Sequence, residues 1–320
     1  VFLVDVNNGS AAAGTGRAVR AHDGAPVSVP DFAALFQRKL AHVGRNLLLR
    51  DNEPAGSMTL RLYDVLTGKD LWKKSFAANS LDIKSDDPYL VGAVEPGNDG
   101  KVTVVDLRTR KEVLVTHIIP KDLEKVQDVR VLADAMHYYL IVNKQPDPQH
   151  NQMGGFWANT SNGIRSVPVN GKIFAYYRNT GKLHWPAWED HEITNQMLIV
   201  DQFRDMPILL FAARSNRMMR QGFNQVVNTG TVMSIEKRTG KMALLPKDYN
   251  NNDGTTFFAL NVNPRNGSVE LIRHNMKIVH ELLDADDRRA ARDGSAESKS
   301  TNFGDESEKI IHGGAIIEKK

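Results

Sequence analysis

Five segments of the chain share one pattern of apolar and polar positions: 60–72, 102–114, 173–185, 232–244 and, more weakly, 259–271. Aligned on the turn residues Thr67, Thr109, Thr180, Thr239 and Asn266, the position seven back is apolar in each (Leu60, Val102, Ile173, Val232, Ala259). So is the position four back (Tyr63, Val105, Tyr176, Ile235, Val262). An odd offset places these two on opposite faces of one strand. Both faces are therefore apolar, which predicts sheets covered on each side by a neighbour.

The polar residues of the repeat predict its turn. Asp64 and Asp106, three before the Thr, can accept a hydrogen bond from a backbone N–H two residues on. Gly68, Gly181, Gly240 and Gly267 follow the turn residue and supply the positive φ of a bulged hairpin. Arg110 holds that place in the second copy, which predicts a looser or mildly strained turn. Trp72 and Trp185 then open the return strand, where Leu114 and Leu244 take the same offset.

Upstream of each of the first four hairpins runs a further apolar strand, at 46–49, 89–94, 137–142 and 208–213. Three or four antiparallel strands per repeat, buried on both faces, make the blade of a β-propeller. The predicted fold is all-β, a propeller of four-stranded antiparallel blades. At roughly 40–45 residues per blade the chain holds about six, or an arc of a ring of about seven or eight. The domain reading is 1–45 as partial blade, loop and short helix, 46–283 as propeller repeats, and 284–320 as a charged, disordered tail. Phe32, Leu35, Phe36 and Leu40 recur at helical spacing after Pro30 and Asp31 and predict an amphipathic helix over 31–43. A helical turn or two is expected over 122–128. Ile310–Ile311 and Ile316–Ile317 are read as trailing in solvent.

Composition removes whole function classes. The chain of 320 residues carries Lys+Arg 41 against Asp+Glu 38, a formal charge of +3, too even for a nucleic-acid binder. It has no cysteine, which excludes a disulfide framework, thiolate metal centres and a cysteine nucleophile in this segment. No apolar run approaches a membrane span. Val1 is neither an initiator Met nor the start of a signal peptide, so the segment is expected to be part of a larger polypeptide.

Tyr63–Trp72 and Tyr177–Trp185 resemble the repeat of quinoprotein-dehydrogenase-like propellers, the pyrroloquinoline-quinone-like repeat. In that family a turn of the type Asp64-Val65-Leu66-Thr67-Gly68-Lys69 leads into a Trp that docks between blades. The likeness spans about 46–272 and extends to the propeller-repeat regions of large planctomycete proteins. It leaves three function classes open. One is a non-catalytic scaffold that takes no cofactor and binds a protein or extended ligand through loops on one face of the disc. The alternative is a quinone-dependent alcohol or sugar dehydrogenase, or a degenerate relative of one, with the quinone and a calcium ion on the central axis. A polysaccharide- or peptide-processing enzyme on the same disc is a distant third. The resemblance also implies an extracytoplasmic location.

Catalytic candidates are few. Trp72 and Trp185 sit at the docking offset and read as packing residues, whereas Trp157 and Trp188 fall outside it. Glu189-Asp190-His191-Glu192 has the composition of a metal cluster, but its place between repeats reads as a solvated acidic loop. Gly9–Gly16 lacks the Lys-Ser/Thr pair of a phosphate cradle. The recognition candidates are two insertions. One, 143–170, carries Phe156 and Trp157. The other, 214–229, carries Arg214, Arg217, Arg220 and Phe223 with Met218 and Met219, and is expected as a long loop.

Overall fold

A computed structural model describes residues 2–6, 15–29, 32–145, 164–185, 191–221, 223–244, 259–265, 268–273, 276–280, 309–312 and 315–319. Almost every regular element is a strand. The chain divides into two compact units, Val1–Leu132 with Arg178–Gly181, and Ala133–Tyr177 with Lys182–Lys320.

The first unit opens with β1 (Phe2–Val6), β2 (Thr15–Val19) and β3 (Pro26–Val27), a three-stranded antiparallel sheet. Helix α1 (Phe32–Arg38) follows, then a four-stranded antiparallel sheet of β4 (Lys39–Val43), β5 (Asn46–Asn52), β6 (Ser57–Asp64) and β7 (Lys69–Ala78) in sequential order. Strands β8 (Leu81–Ser85), β9 (Leu90–Glu95), β10 (Lys101–Asp106) and β11 (Lys111–His117) repeat the meander. After α2 (Pro120–Leu123), β12 (Val126–Ala133) pairs with β8 in parallel.

Both faces of the β4–β7 sheet are buried, by different partners. Leu47 and Leu49 pack with Leu35 of α1 on one side. On the other, Leu48 and Leu62 pack with Val91 and Val105, and Met58 and Leu60 with Ala93, from the sheet that follows. Trp72 joins both of these clusters, so it is wedged where the two sheets meet. Burying one such side chain fully contributes about 1.5–3 kcal/mol, and no strand of this sheet could exist alone with two apolar faces.

The second unit contains β13 (His137–Lys144), β14 (Ser166–Tyr177), β15 (Glu192–Ile199), β16 (Ile208–Gln221), β17 (Phe223–Glu236) and β18 (Met242–Leu244), antiparallel throughout. Its last sheet has the order β19-β20-β21-β23-β22, from β19 (Ala259–Asn263), β20 (Ser268–Arg273), β21 (Met276–His280), β22 (Lys309–His312) and β23 (Ala315–Lys319). The two sheets stack: Ile208, Leu210 and Ala212 of β16 lie against Val269 and Leu271 of β20.

The turns form as their residues dictate. Asp64 Oδ1 accepts the N–H of Leu66 at 3.0 Å, Asp106 Oδ1 that of Arg108 at 2.8 Å, and Asn263 Oδ1 that of Arg265 at 3.1 Å. The carbonyls of Asp64, Asp106 and Glu236 close each turn by accepting from residues 68, 110 and 240. Those closing residues take φ of 69°, 58° and 78°. Arg110 thus bears the left-handed conformation that glycine bears elsewhere.

Five expectations need correction. The helix at 31–43 stops at Arg38, because from Lys39 the chain pairs with β5 and alternation places Val43 inward and Leu40 outward. The helix expected at 122–128 is a single turn, Pro120–Leu123, since Val126 already belongs to β12. Trp185 does not open a return strand: past its turn, among the described residues, the third repeat makes only the bridge Tyr176↔Leu183. The segment 214–229 is not a loop but the outer half of the β16–β17 hairpin. Ile310–Ile311 and Ile316–Ile317 lie in β22 and β23, paired to β21 rather than trailing in solvent.

Two substitutions check this packing. An added Cβ at Gly92 would sit 2.0 Å from the Thr103 carbonyl oxygen of the neighbouring strand. Gly92→Ala is therefore expected to lower stability by about 2–3 kcal/mol in chemical denaturation. Arg110→Gly, which relieves a left-handed arginine, is expected to raise it by roughly 0.5–1 kcal/mol.

Candidate functional site

Among the described residues a dense group of ionisable and aromatic side chains lies in the second unit, around the turn that follows β17. Its first member is Asp134, just before β13. Asp134 Oδ1 accepts the N–H groups of Met136 and His137, both at 2.8 Å, which sets the turn into β13. Its Oδ2 accepts the Tyr139 hydroxyl at 2.9 Å and lies 3.3 Å from Lys237 Nζ.

Lys237 is the second member and the unusual one. It is 5% exposed. Its ammonium donates to the Phe203 carbonyl at 2.5 Å and sits 4.1 Å from the centre of the Phe203 ring, a cation–π contact. In the turn alignment Lys237 stands where Val65 and Leu107 stand in the first and second copies, and all three are buried. The backbone agrees: the N–H of Leu107 donates to Tyr89 and that of Lys237 to Pro207, each reaching back to the residue before the preceding strand. An apolar plug has become a lysine, and a buried ammonium requires a carboxylate. Asp134 supplies it.

Third-repeat residues dock on the same turn. Trp185 Nε1 donates to the Lys237 carbonyl at 2.9 Å, and His184 Nε2 lies 3.2 Å from it. His191 Nε2 is 2.8 Å from the Gly240 carbonyl, with its ring 4.5 Å from that of Trp185. Only glycine fits at 240: a Cβ there would meet His191 Nε2 at 2.8 Å and Trp185 Cγ at 3.0 Å, and φ is +78°. His191 is therefore not part of a solvated acidic loop, as its neighbours in sequence imply. It is 6% exposed, and its ring closes the face of Trp185. Glu192 stays exposed, 3.7 Å from Lys144.

Electrostatics follow from this enclosure. Burial pushes Lys237 down to about 8, against the pull of Asp134 and Asp205. Burial would raise Asp134, yet Lys237 and the three hydrogen-bond donors hold it below the usual carboxylate value. Tyr139 is pushed up by burial and by Asp134. His137 is pushed down by burial, Asp134 opposing and His184 and Lys237 assisting. The groups that titrate hold turns and docked rings, so the chemistry available here is that of a lock.

The structure gathers Trp185 and Gly240 at this lock, and Trp72, Asp64, Gly68 and Asp106 at the equivalent turns of the first unit. Gly181 takes φ of 67° in the third turn. Arg214, Arg217, Arg220 and Phe223 fall on one two-stranded ribbon, opposite Gly230, Val227, Asn224 and Gln221 in the Cα register. Phe156, Trp157, Trp188, Glu189, Asp190 and Gly267 lie outside the described residues, as does most of Gly9–Gly16, whose last two positions begin β2. Asp134, His137, His184 and Lys237 were not singled out by motif. The available signal was a lysine in a column that is apolar in the first and second copies, although the third carries the exposed Arg178. Among the described residues no three His, Asp or Glu side chains are grouped to hold a metal ion.

No family model and no curated protein matches the sequence. Among solved structures the chain is similar to BamB from Moraxella catarrhalis, at 12% identity over 95% of this chain and 76% of that one, with a TM-score of 0.35. A europium-containing methanol dehydrogenase gives 15% identity over 87% and 60%, with a TM-score of 0.31. The β-propeller domain of the Trilobed protease from Pyrococcus furiosus gives 10% over 76% and 62%, with a TM-score of 0.33. Among the described residues no helix is long and apolar enough to cross a membrane.

The lock can be tested by pairwise substitution. Lys237→Met leaves the Asp134 carboxylate buried without a cation and is expected to cost about 3–5 kcal/mol. The double variant Lys237→Met/Asp134→Asn removes that charge while keeping the turn acceptor. It should recover at least half of the loss in urea titrations.

Proposed function

We propose that this chain is a non-catalytic β-propeller scaffold of four-stranded blades that holds a protein or other extended ligand at one face of its disc. The observation that carries this reading is the β16–β17 ribbon. Each strand is 14 residues long, about 45 Å of extended chain. Only the base of the ribbon has strand neighbours among the described residues: β15 meets β16 at Leu198↔Phe211, and β18 meets β17 at Met233–Ile235. The outer half carries Arg214, Arg217 and Arg220, with no Asp or Glu anywhere between Pro207 and Ile235. A paired arm on a packed sheet loses less entropy on binding than a loose loop of the same length, and arginines favour carboxylate or phosphate groups on a partner. The insertion bearing Phe156 and Trp157 is assigned to the same surface, as aromatic contact area. An extracytoplasmic location, as part of a larger polypeptide, completes the proposal.

Two measurements test it. Replacing Arg214, Arg217 and Arg220 together by Ala, or Trp157 with Arg217, is expected to weaken partner capture at least tenfold while the thermal midpoint stays unchanged. Undiminished capture overturns the assignment. Titration of purified protein with pyrroloquinoline quinone and calcium is expected to give neither stoichiometric binding nor dye-linked alcohol oxidation. Either result would replace the scaffold with a dehydrogenase.

A further inference from the structure

The lock beneath the ribbon contains a stacked pair of histidines, of which only His184 touches the turn directly. The rings of His137 and His184 lie 4.3 Å apart and 15° from parallel. His137 is 9% exposed. We propose that His137, stacked on His184 beside the Asp134–Lys237 pair, makes this cluster an acid-sensitive latch on the base of β17.

Every element packed on His137 presents a group that responds to its charge. From its own strand and turn come Asp134, with Oδ1 3.6 Å from Nδ1, and Tyr139, with its hydroxyl 3.3 Å from Nδ1. From β14 comes Tyr177, its ring 5.4 Å away. The segment after β14 contributes His184, and the turn after β17 contributes the Lys237 ammonium. Among the described residues Asp134 is the carboxylate that faces both His137 and Lys237, Asp205 pulling on Lys237 alone, and Lys237 already occupies one of the Asp134 oxygens. His184 Nε2 faces the Lys237 carbonyl and so carries a proton, which leaves Nδ1 as the acceptor of the neutral ring. That Nδ1 is buried without a hydrogen-bond partner. A positive charge placed on His137 is therefore enclosed beside the Lys237 ammonium, with Asp134 facing both and the His184 ring stacked against it.

The sign follows from linkage. Burial, with Asp134 opposing and coulombic interaction with His184 and Lys237 assisting, holds His137 below its ordinary 6.5, so the unfolded or opened form binds the proton more readily. Stability of the closed latch is full above 6.5 and is lost as pH falls below it. Asp134, itself held below 3.8, loses its contribution only at more acidic pH, so the first loss belongs to the histidine. The cheapest release is local: His137 turns to water, and the 237–240 turn it helps to hold lets go of Trp185 and His184. This freeing of β17 at its base does not depend on what the ribbon binds.

Hydrogen exchange on the intact chain tests the latch. Protection of residues 233–241, corrected for the intrinsic rate, is expected to fall at least tenfold between pH 7 and pH 5, while β9 and β10 keep theirs. His137→Gln should hold protection constant over that range. Equal protection at both pH values, an identical loss in His137→Gln, or a parallel loss in β9 and β10 overturns the proposal. Imidazole resonances of the wild-type chain give a second readout that needs no stable His137 variant. The midpoint of His137 is expected below 6.5 and to rise in His184→Gln. A midpoint at 6.5 that ignores His184 would count against the latch.

Discussion

A strand with apolar side chains on both faces cannot end a structure; it obliges the chain to supply cover twice. The β4–β7 sheet shows the rule most clearly, with α1 and Val29 against Leu47 and Leu49 and the next sheet against Leu48, Leu60 and Leu62. The β16 strand shows it again, with Ile208 and Leu210 spent on β20. Repetition follows from this obligation: a sheet that needs a sheet beside it is most simply met by another copy of itself. The hairpin turns, with their Asx bonds and left-handed closing residue, fix the register that makes each copy's two faces line up.

Between copies, the docking of an aromatic ring on the neighbouring packing is what turns stacking into a defined arrangement. Trp72 does this by area, wedged among Leu48, Leu62, Leu60 and Phe76. Trp185 does it by direction as well, since its indole N–H is aimed at one carbonyl, that of Lys237. The second arrangement is more demanding. It needs a glycine at 240 to let the ring approach, a histidine to cover its face, and a buried ion pair to hold the turn still. Buried pairs of this kind are weak sources of net stability and strong penalties when broken. The fourth turn is thereby specific rather than simply sticky.

Much of this was written in the sequence. The strands, the Asx turns, the both-sides burial and the strain at Arg110 follow from residue type and offset alone, because each is decided within a few positions of the chain. What stayed hidden was decided at a distance. Lys39–Val43 pairs as a strand because β5 is there to receive it, although Phe36 and Leu40 fall at a spacing a helix also allows. The 214–229 segment, rich in Asn, Gln and Arg, reads as a loop by propensity and is held straight by the ladder running out from Ile208↔Glu236. His191 sits in an acidic run yet is buried, since the surface it covers comes from a repeat about fifty residues away. The Asp134–Lys237 pair could be suspected only by comparing turn columns, and its carboxylate partner lies outside the repeat altogether.

The order β21-β23-β22 in the last sheet has a consequence for biosynthesis. Strands β19 to β21 are complete by His280, yet the strand that covers the outer edge of β21 begins only at Ala315. During translation, at about 5–20 residues per second, the edge waits a few seconds, open to any other extended segment in reach. A nascent chain caught in that interval would be vulnerable to intermolecular pairing, and a chaperone that shields strand edges would act most usefully there.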